Sequence, residues 1–287
     1  MAFISFCRAK LVILMCACTV LSACTAQLKE ATFLAQDNNT ETIAAQTWHE
    51  WQTAFPKAKL QKLGFVASDG TKLNGLYLDN ADSEELIFFI QGNGMKLSNS
   101  GIKAVERLSP LGKDIIMFDH RGLGTSQGSA TIAALKRDAK EQLMFVKTKF
   151  SPQKLYLHGY SLGSFIATAL VEEASVDALI LQGSATNVDD WISHVTPWYT
   201  KPFLTIQIDP AFHAVDNLAI LSQHYTGPLL IIAGENDKQA PPALSKHLFD
   251  ASQSQQKELI VVKDADHSGM FKDNATVQSY QAFLDAI

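Results

Sequence analysis

Cysteine is absent after residue 24 of this 287-residue chain, and the chain has no excess of positive charge. The four cysteines are Cys7, Cys16, Cys18 and Cys24. A chain that loses a leader and keeps only Cys24 cannot form an internal disulfide, which excludes a disulfide-stapled scaffold. The formal net charge of -5 gives no basic surface for nucleic acid.

Long hydrophobic runs are also missing. The apolar run from Leu11 to Leu21 is shorter than the roughly 20 residues that a membrane-spanning helix needs. With 47% hydrophobic and 18% charged residues, the sequence is neither disordered nor a multi-span membrane protein. Its length suits one large domain or two small ones.

The first 24 residues have the features of an export signal. Arg8 and Lys10 precede the apolar run, as in a secretory signal peptide. The run closes on Leu21-Ser22-Ala23-Cys24, which resembles the lipobox of bacterial lipoproteins. The resemblance implies a signal peptide over residues 1–23, acylation of Cys24 and a lipid-anchored protein of the bacterial cell envelope. Thr25, rather than aspartate, favours the outer membrane. An ordinary cleaved signal and an uncleaved anchor are the alternatives.

Residues 24–58 are expected to form a lipidated tether and a lead-in helix. The polar stretch at 37–42 precedes Trp48, Trp51 and Phe55, whose spacing fits one helical face. We expect these aromatic rings to pack on the body of the domain.

From residue 63 onward, short apolar runs alternate with amphipathic stretches. The predicted strands are Leu63–Ala67, Leu73–Leu78, Leu86–Ile90, Asp114–Phe118, Lys154–His158, Ala178–Leu181, Leu229–Ala233 and Glu258–Val262. Helical spacing covers residues 132–146, 162–170, 241–251 and 276–287. Because most of the strand runs are apolar without alternation, they suit strands buried on both faces. This alternation predicts an α/β fold with a mostly parallel, doubly wound sheet and helices on both faces.

A serine follows one of these strands in the pattern Gly159-Tyr160-Ser161-Leu162-Gly163. A G-x-S-x-G turn between a strand and a helix is the nucleophile elbow of α/β-hydrolases. The turn would hold Ser161 at the amino end of a helix, where the helix dipole favours developing negative charge. Ser161 is therefore the candidate nucleophile.

A serine nucleophile needs a base, and the base needs an orienting acid. In this class the acid and then the histidine follow the serine along the chain. Asp237 comes just after the strand at 229–233, and His267 follows the last strand. We predict a Ser161–Asp237–His267 triad, with Glu235 as the alternative acid. Asp264 and Asp266 are expected to be solvated loop residues.

Two backbone N–H groups are candidates for an oxyanion hole. The strand at 86–90 ends in Gln91-Gly92-Asn93-Gly94, and a glycine there lets the Asn93 N–H point at a substrate oxyanion. The Leu162 N–H, next to the nucleophile, is the second predicted donor. His120 and His158 border this region, and we expect both to act in packing.

Taken together, residues 63–287 resemble the α/β-hydrolase superfamily, near its BEM46/ABHD13-like and serine aminopeptidase S33-type members. The resemblance rests on the elbow, on Gln91–Gly94, on Gly234–Asp237, on His267 and on the loop Asp119-His120-Arg121-Gly122. It implies a hydrolase domain over residues 59–287, with the loop at 119 bracing the site. Two positions depart from the family: Gln91 replaces a usual histidine, and Asp266 replaces a common glycine.

The segment at 184–227 is the part of the sequence that bears on the substrate. Residues 184–227 contain Trp191, Trp198 and Phe203 and predict either a small helical cap or a core-packed helix with an aromatic lining. A cap favours a small or medium acyl ester or thioester as the small-molecule substrate. An acyl-peptide or aminopeptidase-like amide hydrolase, or a non-catalytic envelope-binding protein, are the alternatives. The sequence contains no metal-ligand cluster or cofactor motif, so neither is implied, and it leaves the oligomeric state open.

Overall fold

The computed structural model describes residues 24–37, 39–272 and 274–287, so the predicted signal peptide lies outside the described residues. The strands are β1 (Cys24–Leu28), β2 (Lys59–Val66), β3 (Lys72–Asp79), β4 (Glu85–Ile90), β5 (Asp114–Phe118), β6 (Lys154–Tyr160), β7 (Ala178–Gln182), β8 (Leu204–Ile208), β9 (Leu229–Gly234) and β10 (Lys257–Val262). The α-helices are α1 (Glu30–Phe33), α2 (Ala45–Ala54), α3 (Ile102–Leu108), α4 (Ile132–Phe150), α5 (Leu162–Leu170), α6 (Val188–Val195), α7 (Asn217–Gln223), α8 (Pro242–Ala251) and α9 (Asn274–Asp285). Short turns of other helix types lie at Leu97–Gly101, Ser109–Leu111, Lys201–Phe203 and Pro210–Ala214.

Eight strands form one sheet in the order β10-β9-β7-β6-β4-β5-β3-β2. Every neighbouring pair from β10 to β5 is parallel, whereas β3 is antiparallel to both β5 and β2. The mostly parallel sheet confirms the predicted fold class, and all eight predicted strands are present. The Asp-Gly turn at residues 69–70 joins the antiparallel pair β2 and β3, as a hairpin signal predicts.

Both faces of the sheet are buried under helices. Alternate residues of β4 belong to different cores: Phe88 packs on one face, and Ile87 and Phe89 pack on the other. Helices α4, α5, α7 and α8 contribute to the first core, while α3 and α9 contribute to the second. This two-sided burial explains why the strand runs are continuously apolar.

The chain reverses its direction of winding between β4 and β6, which are hydrogen-bonded neighbours. Helix α3 follows β4 onto one face, and α5 follows β6 onto the other. In an open α/β sheet, such a switch point leaves a crevice at the carboxyl ends of the strands. The Ser161 elbow and the Gln91–Gly94 loop both begin at this crevice.

The segment after Cys24 has contacts that a tether lacks. Strand β1 pairs in parallel with β8 in a separate two-stranded ribbon, with Cys24 opposite Leu204 and Leu28 opposite Ile208. The sequence pattern predicted neither strand, because each is short and their pairing partners lie 180 residues apart. Among the described residues, no helix is both long and apolar enough to cross a membrane.

The predicted lead-in helix is α2. Phe55 is buried in the second core, and Trp48 and Trp51 are partly buried against it. The two indole rings also lie 5.7 Å apart. The expectation that these three aromatic rings pack on the domain is therefore confirmed.

Candidate active site

Ser161 lies on a tight, strained turn between β6 and α5. Its backbone has φ 53° and ψ -118°, a conformation that costs a non-glycine residue on the order of 1–3 kcal/mol. The flanking glycines allow close packing around it: a Cβ on Gly163 would lie 2.0 Å from the Ile90 carbonyl oxygen. A Cβ on Gly159 would lie 2.5 Å from the Gly163 carbonyl oxygen. The two glycines of the motif are therefore required by the surrounding backbone.

Asp237 and His267 form a buried pair. Asp237 Oδ2 lies 2.6 Å from His267 Nδ1, and the two residues are 3% and 8% exposed. Asp237 Oδ1 accepts hydrogen bonds from the backbone N–H groups of Gln239 and Ala240, each at 2.8 Å. Because the carboxylate can only accept, Nδ1 carries the proton and Nε2 is left free to act as a base.

Two neighbours that the sequence did not single out hold the imidazole in place. Gly183, at the end of β7, has φ 57°, and a Cβ there would lie 2.9 Å from His267 Cε1. The ring of Tyr160 lies 5.1 Å from the imidazole, and its hydroxyl donates to the His267 carbonyl at 3.2 Å. The end of β7 and the loop that carries His267 are more than 80 residues apart in the chain, so no local sequence pattern indicates this contact.

The other acidic candidates are in different surroundings. Glu235 is exposed and accepts a hydrogen bond from the Asp264 N–H at 2.9 Å. Asp266 is exposed, and its carboxylate accepts from the hydroxyl of Ser268 at 3.2 Å and from the Ser268 N–H at 3.1 Å, which lowers the Asp266 pKa. Of the two predicted acids, the structure thus brings Asp237, not Glu235, to His267.

The predicted oxyanion donors lie beside the serine. A Cβ on Gly92 would lie 3.2 Å from the Ser161 Cβ, so the loop after β4 passes directly over the elbow. Asn93 and Leu162 line the same cavity as Ser161 and His267. Within the described residues, neither the Asn93 nor the Leu162 backbone N–H has a hydrogen-bond partner. Both donors are available to a substrate oxygen.

This cavity has a volume of about 600 Å³, and its wall is largely apolar. Three parts of the chain build the apolar wall: the segment 28–33, helices α4 and α5, and the predicted cap region 184–227. Their lining side chains include Leu28, Phe33, Ile132, Leu162, Phe165, Val188, Trp191, Val195, Phe212 and Val215. The Phe33 ring makes edge contacts with Trp191 at 5.8 Å and with Phe212 at 5.3 Å.

The segment before α2 closes one side of the cavity through a series of polar contacts. Asn93 Oδ1 accepts from the Ala35 N–H at 2.8 Å, and Asn93 Nδ2 donates to the Phe33 carbonyl at 2.7 Å. Asp37 accepts from the Gly124 N–H at 2.7 Å and pairs with Lys96 at 3.3 Å. No local sequence pattern indicates this wall, since its partners lie 58 or more residues away.

The loop at 119, which the family resemblance predicts to brace the site, is held by buried polar contacts. Asp119 is buried and accepts from the Leu97 N–H and from the Thr125 N–H and hydroxyl, each at 2.7 Å. Burial nevertheless raises the Asp119 pKa to about 6, because it disfavours the charged form. Arg121 forms a two-point ion pair with the buried Asp138.

The two histidines near the site make contacts with their neighbours, and His158 is the more buried of the two. His158 is fully buried, with Nε2 3.1 Å from Gln182 Oε1, and burial lowers its pKa to about 3. His120 Nε2 donates to the Gln91 carbonyl at 2.9 Å, and burial lowers the His120 pKa to about 4. His120 thus supports the Gln91 backbone, and His158 packs against the rings of Phe89 and Tyr280 at 5.0 Å and 5.5 Å, as expected of packing residues.

Gln91 is the site's unusual residue. It is fully buried, and within the described residues neither polar atom of its side chain has a hydrogen-bond partner.

Two further features bear on the chemistry of the described residues. Among those residues, no cluster of three or more His, Cys, Asp or Glu side chains could hold a metal ion. Cys24 has an exposed free thiol at the start of β1.

This chain has the α/β-hydrolase fold. A family model described as "alpha/beta hydrolase fold" matches residues 85–227, from β4 through the elbow to the end of the cap region. The solved structure of the Pyrococcus furiosus esterase Pf2001 superposes with a TM-score of 0.67 at 16% identity, over 88% of this chain and 99% of that one. A cold-adapted esterase from an Arctic intertidal metagenomic library gives a TM-score of 0.58 at 15% identity, over 88% and 99%. At these identities the likeness shows the fold alone.

Sequence relatives are distant. Lysophosphatidylserine lipase ABHD12 of Danio rerio is 31% identical over 189 residues, which are 60% of this chain and 48% of the relative. The chain thus spans about half the length of the curated relatives of this kind. YfhR of Salmonella typhi, an uncharacterized protein, is 26% identical over 75% of this chain and 76% of its own length.

Proposed function

We propose that this protein is a serine hydrolase that cleaves small or medium acyl esters or thioesters through an acyl-enzyme. The observation that carries the proposal is the 2.6 Å Asp237–His267 pair, which opens onto the same apolar cavity as the strained Ser161. The distant sequence relative ABHD12, a lysophosphatidylserine lipase, supports the same class of reaction.

The proposed reaction has two halves. His267 Nε2 takes the proton of Ser161 Oγ as that oxygen bonds to the acyl carbon, and the new oxyanion accepts from the Asn93 and Leu162 N–H groups. The ester C–O bond then breaks, and His267 returns the proton to the leaving oxygen. Water next attacks the acyl-serine, again through His267, and releases the carboxylic acid and free Ser161.

The cavity favours an acyl chain over a peptide amine. Among its described lining residues, the charged side chain is the cation Lys238, and no carboxylate is available to bind an amino terminus. An aminopeptidase needs such an anion, whereas an apolar wall suits a single acyl chain. We therefore place ester hydrolysis ahead of the S33-type amide hydrolysis.

A fluorophosphonate probe tests the proposal directly. We expect the wild type to be labelled and to hydrolyse p-nitrophenyl esters, and Ser161→Ala to lose both properties. Ser100→Ala is the matched control, because Ser100 lines the same cavity away from the elbow, and it should keep the labelling. Labelling that persists in Ser161→Ala would refute the assignment. No labelling and no hydrolysis by the wild type would favour a non-catalytic binding protein.

We also propose that Cys24 is acylated and anchors the protein in the bacterial cell envelope, at the outer membrane. The basis is the Leu21-Ser22-Ala23-Cys24 sequence after a charged and apolar leader. Several acyl chains on one residue make membrane attachment effectively permanent. Metabolic labelling with a palmitate analogue should mark the wild type and not Cys24→Ser, and a labelled Cys24→Ser variant would contradict the proposal.

A further inference from the structure

A cluster of exposed aromatic side chains lies at one end of the β1–β8 ribbon. Trp198 is 81% exposed, Tyr199 62% and Phe203 51%, and the first two rings are 6.0 Å apart. Within the described residues, six large apolar side chains are about half exposed or more, and half of them fall in these six consecutive positions. Exposed apolar surface this concentrated marks an interaction site.

The cluster lies next to Cys24, the first of the described residues. Phe203 immediately precedes Leu204, and Leu204 is the register partner of Cys24. The apolar run Leu11–Leu21 ends three residues before Cys24. Under the proposed acylation of Cys24, the hydrophobic attachment would enter the protein beside the aromatic cluster.

The charge around the cluster differs from that of the whole chain. Strand β1 at 24–28 and the stretch 191–208, which contains β8 and the cluster, have no Asp or Glu, although the chain has 29. Their basic side chains are Lys201 and His194, both of which are exposed. Basic side chains near a bilayer are attracted to anionic lipid headgroups.

We propose that Trp198, Tyr199 and Phe203, together with Lys201, form a docking surface for a bilayer that contains anionic phospholipid. Tryptophan and tyrosine favour the membrane interface because one part of each ring is apolar and the other can hydrogen-bond. A nearby hydrophobic attachment at Cys24 would hold these rings against the bilayer at high effective concentration.

Docking through this surface would bring the cavity close to the lipid. Strand β1 runs from Cys24 to Leu28, and Leu28 lines the cavity. Four residues of extended chain, at about 3.3 Å per residue, span about 13 Å. This inference rests on the proposed function in one respect only: docking would give an acyl substrate a short path from the bilayer to Ser161. The docking surface itself can be tested without catalysis.

Tryptophan quenching tests which surface faces the lipid. The full chain is mixed with vesicles of phosphatidylglycerol and phosphatidylcholine that have brominated acyl chains, which quench only inserted indoles. We expect quenching in the wild type and the loss of most of it in Trp198→Phe. Trp48→Phe is the matched control, because Trp48 packs on the domain body beside Trp51, and it should be quenched like the wild type.

Further measurements separate the other outcomes. Lys201→Gln should weaken the quenching on phosphatidylglycerol vesicles and leave it unchanged on pure phosphatidylcholine. Quenching that is the same in Trp198→Phe, or a dimer in solution that Trp198→Phe dissociates, would overturn the proposal. Hydrolysis of a short soluble ester, which should be unchanged in Trp198→Phe, reports the proposed function separately.

Discussion

The side chain of Asn93 holds Phe33 against the cavity that contains Ser161 and His267: Asn93 Nδ2 donates to the Phe33 carbonyl at 2.7 Å. Asn93 Oδ1 accepts from the Ala35 N–H at 2.8 Å, so the amide joins the segment at both sides of Leu34. The residue whose backbone N–H is a proposed oxyanion donor therefore also positions an apolar wall. The Asn93 side chain thus couples the loop after β4 to the segment after Cys24.

This coupling predicts a chain-length effect. Asn93→Ala removes two hydrogen bonds worth about 1 kcal/mol each but leaves the backbone N–H in place. We expect kcat/KM for an octanoate ester to fall by about tenfold, and that for an acetate ester, which does not reach the wall, to change by less than about twofold. Steady-state kinetics on a p-nitrophenyl ester series would measure this. An equal loss on both esters would show that the wall does not contact the acyl chain.

The two acidic candidates predict opposite results in a matched pair of variants. Asp237→Asn should lower kcat by about 10⁴, because the amide stabilises the wrong imidazole tautomer and cannot support the imidazolium. Glu235→Gln should keep kcat within about twofold, because its carboxylate only accepts a bond from the Asp264 N–H. Single-turnover kinetics with a short ester would compare them. A large loss in Glu235→Gln alone would reverse the assignment.

Alanine substitutions at Gly163 and at Gly112 are expected to destabilise the protein to different extents. Gly163→Ala places a methyl group 2.0 Å from the Ile90 carbonyl oxygen, and we expect it to cost about 3 kcal/mol or more of unfolding free energy. Gly112→Ala is the control: Gly112 has φ 65°, and a methyl group added there would meet no atom within 4 Å, so only backbone strain of about 1–2 kcal/mol remains. Urea denaturation of both variants would test the ranking. Equal costs would mean that the elbow relaxes around the methyl group.

Asp119 predicts a pH-dependent stability. Its pKa is raised to about 6, so between pH 4 and 6 the native state binds the proton more tightly than the unfolded chain does. Ionisation of Asp119 therefore weakens the native state as the pH rises through this window. Asp119→Asn does not titrate, so the unfolding free energy of the wild type should fall relative to that of the variant by about 2 kcal/mol between pH 4 and 7. A pH-independent difference would show that Asp119 ionises normally.

The strands, the main helices and the elbow could be predicted because local patterns determine them. The strands at 114–118 and 154–158 are apolar runs that only a sheet covered on both faces can bury, and both were found at these positions. The Ser161 turn was equally predictable, since close backbone packing restricts Gly159 and Gly163. The catalytic roles of Ser161, Asp237 and His267 stay predictions, although the structure brings Ser161 and His267 to one cavity and pairs Asp237 with His267.

Other parts of the site depend on partners far away in the chain. No local sequence pattern indicated the role of Gly183, because the space that a Cβ would need there is filled by His267, 84 residues later. The pairing of Cys24 with Leu204 links residues 180 positions apart, and neither short strand has a distinctive pattern. The segment after Cys24, expected to be a tether, instead forms a wall of the cavity.

The sequence by itself thus determined the leader-like pattern, the α/β class and the type of each candidate reacting group, because periodicity, turn chemistry and side-chain chemistry are local properties. Only the tertiary structure decided which acid meets His267, what lines the cavity and where Cys24 lies relative to Trp198. These are contacts between distant segments, and they form because packing buries apolar surface and pairs polar groups wherever the folded chain brings them together.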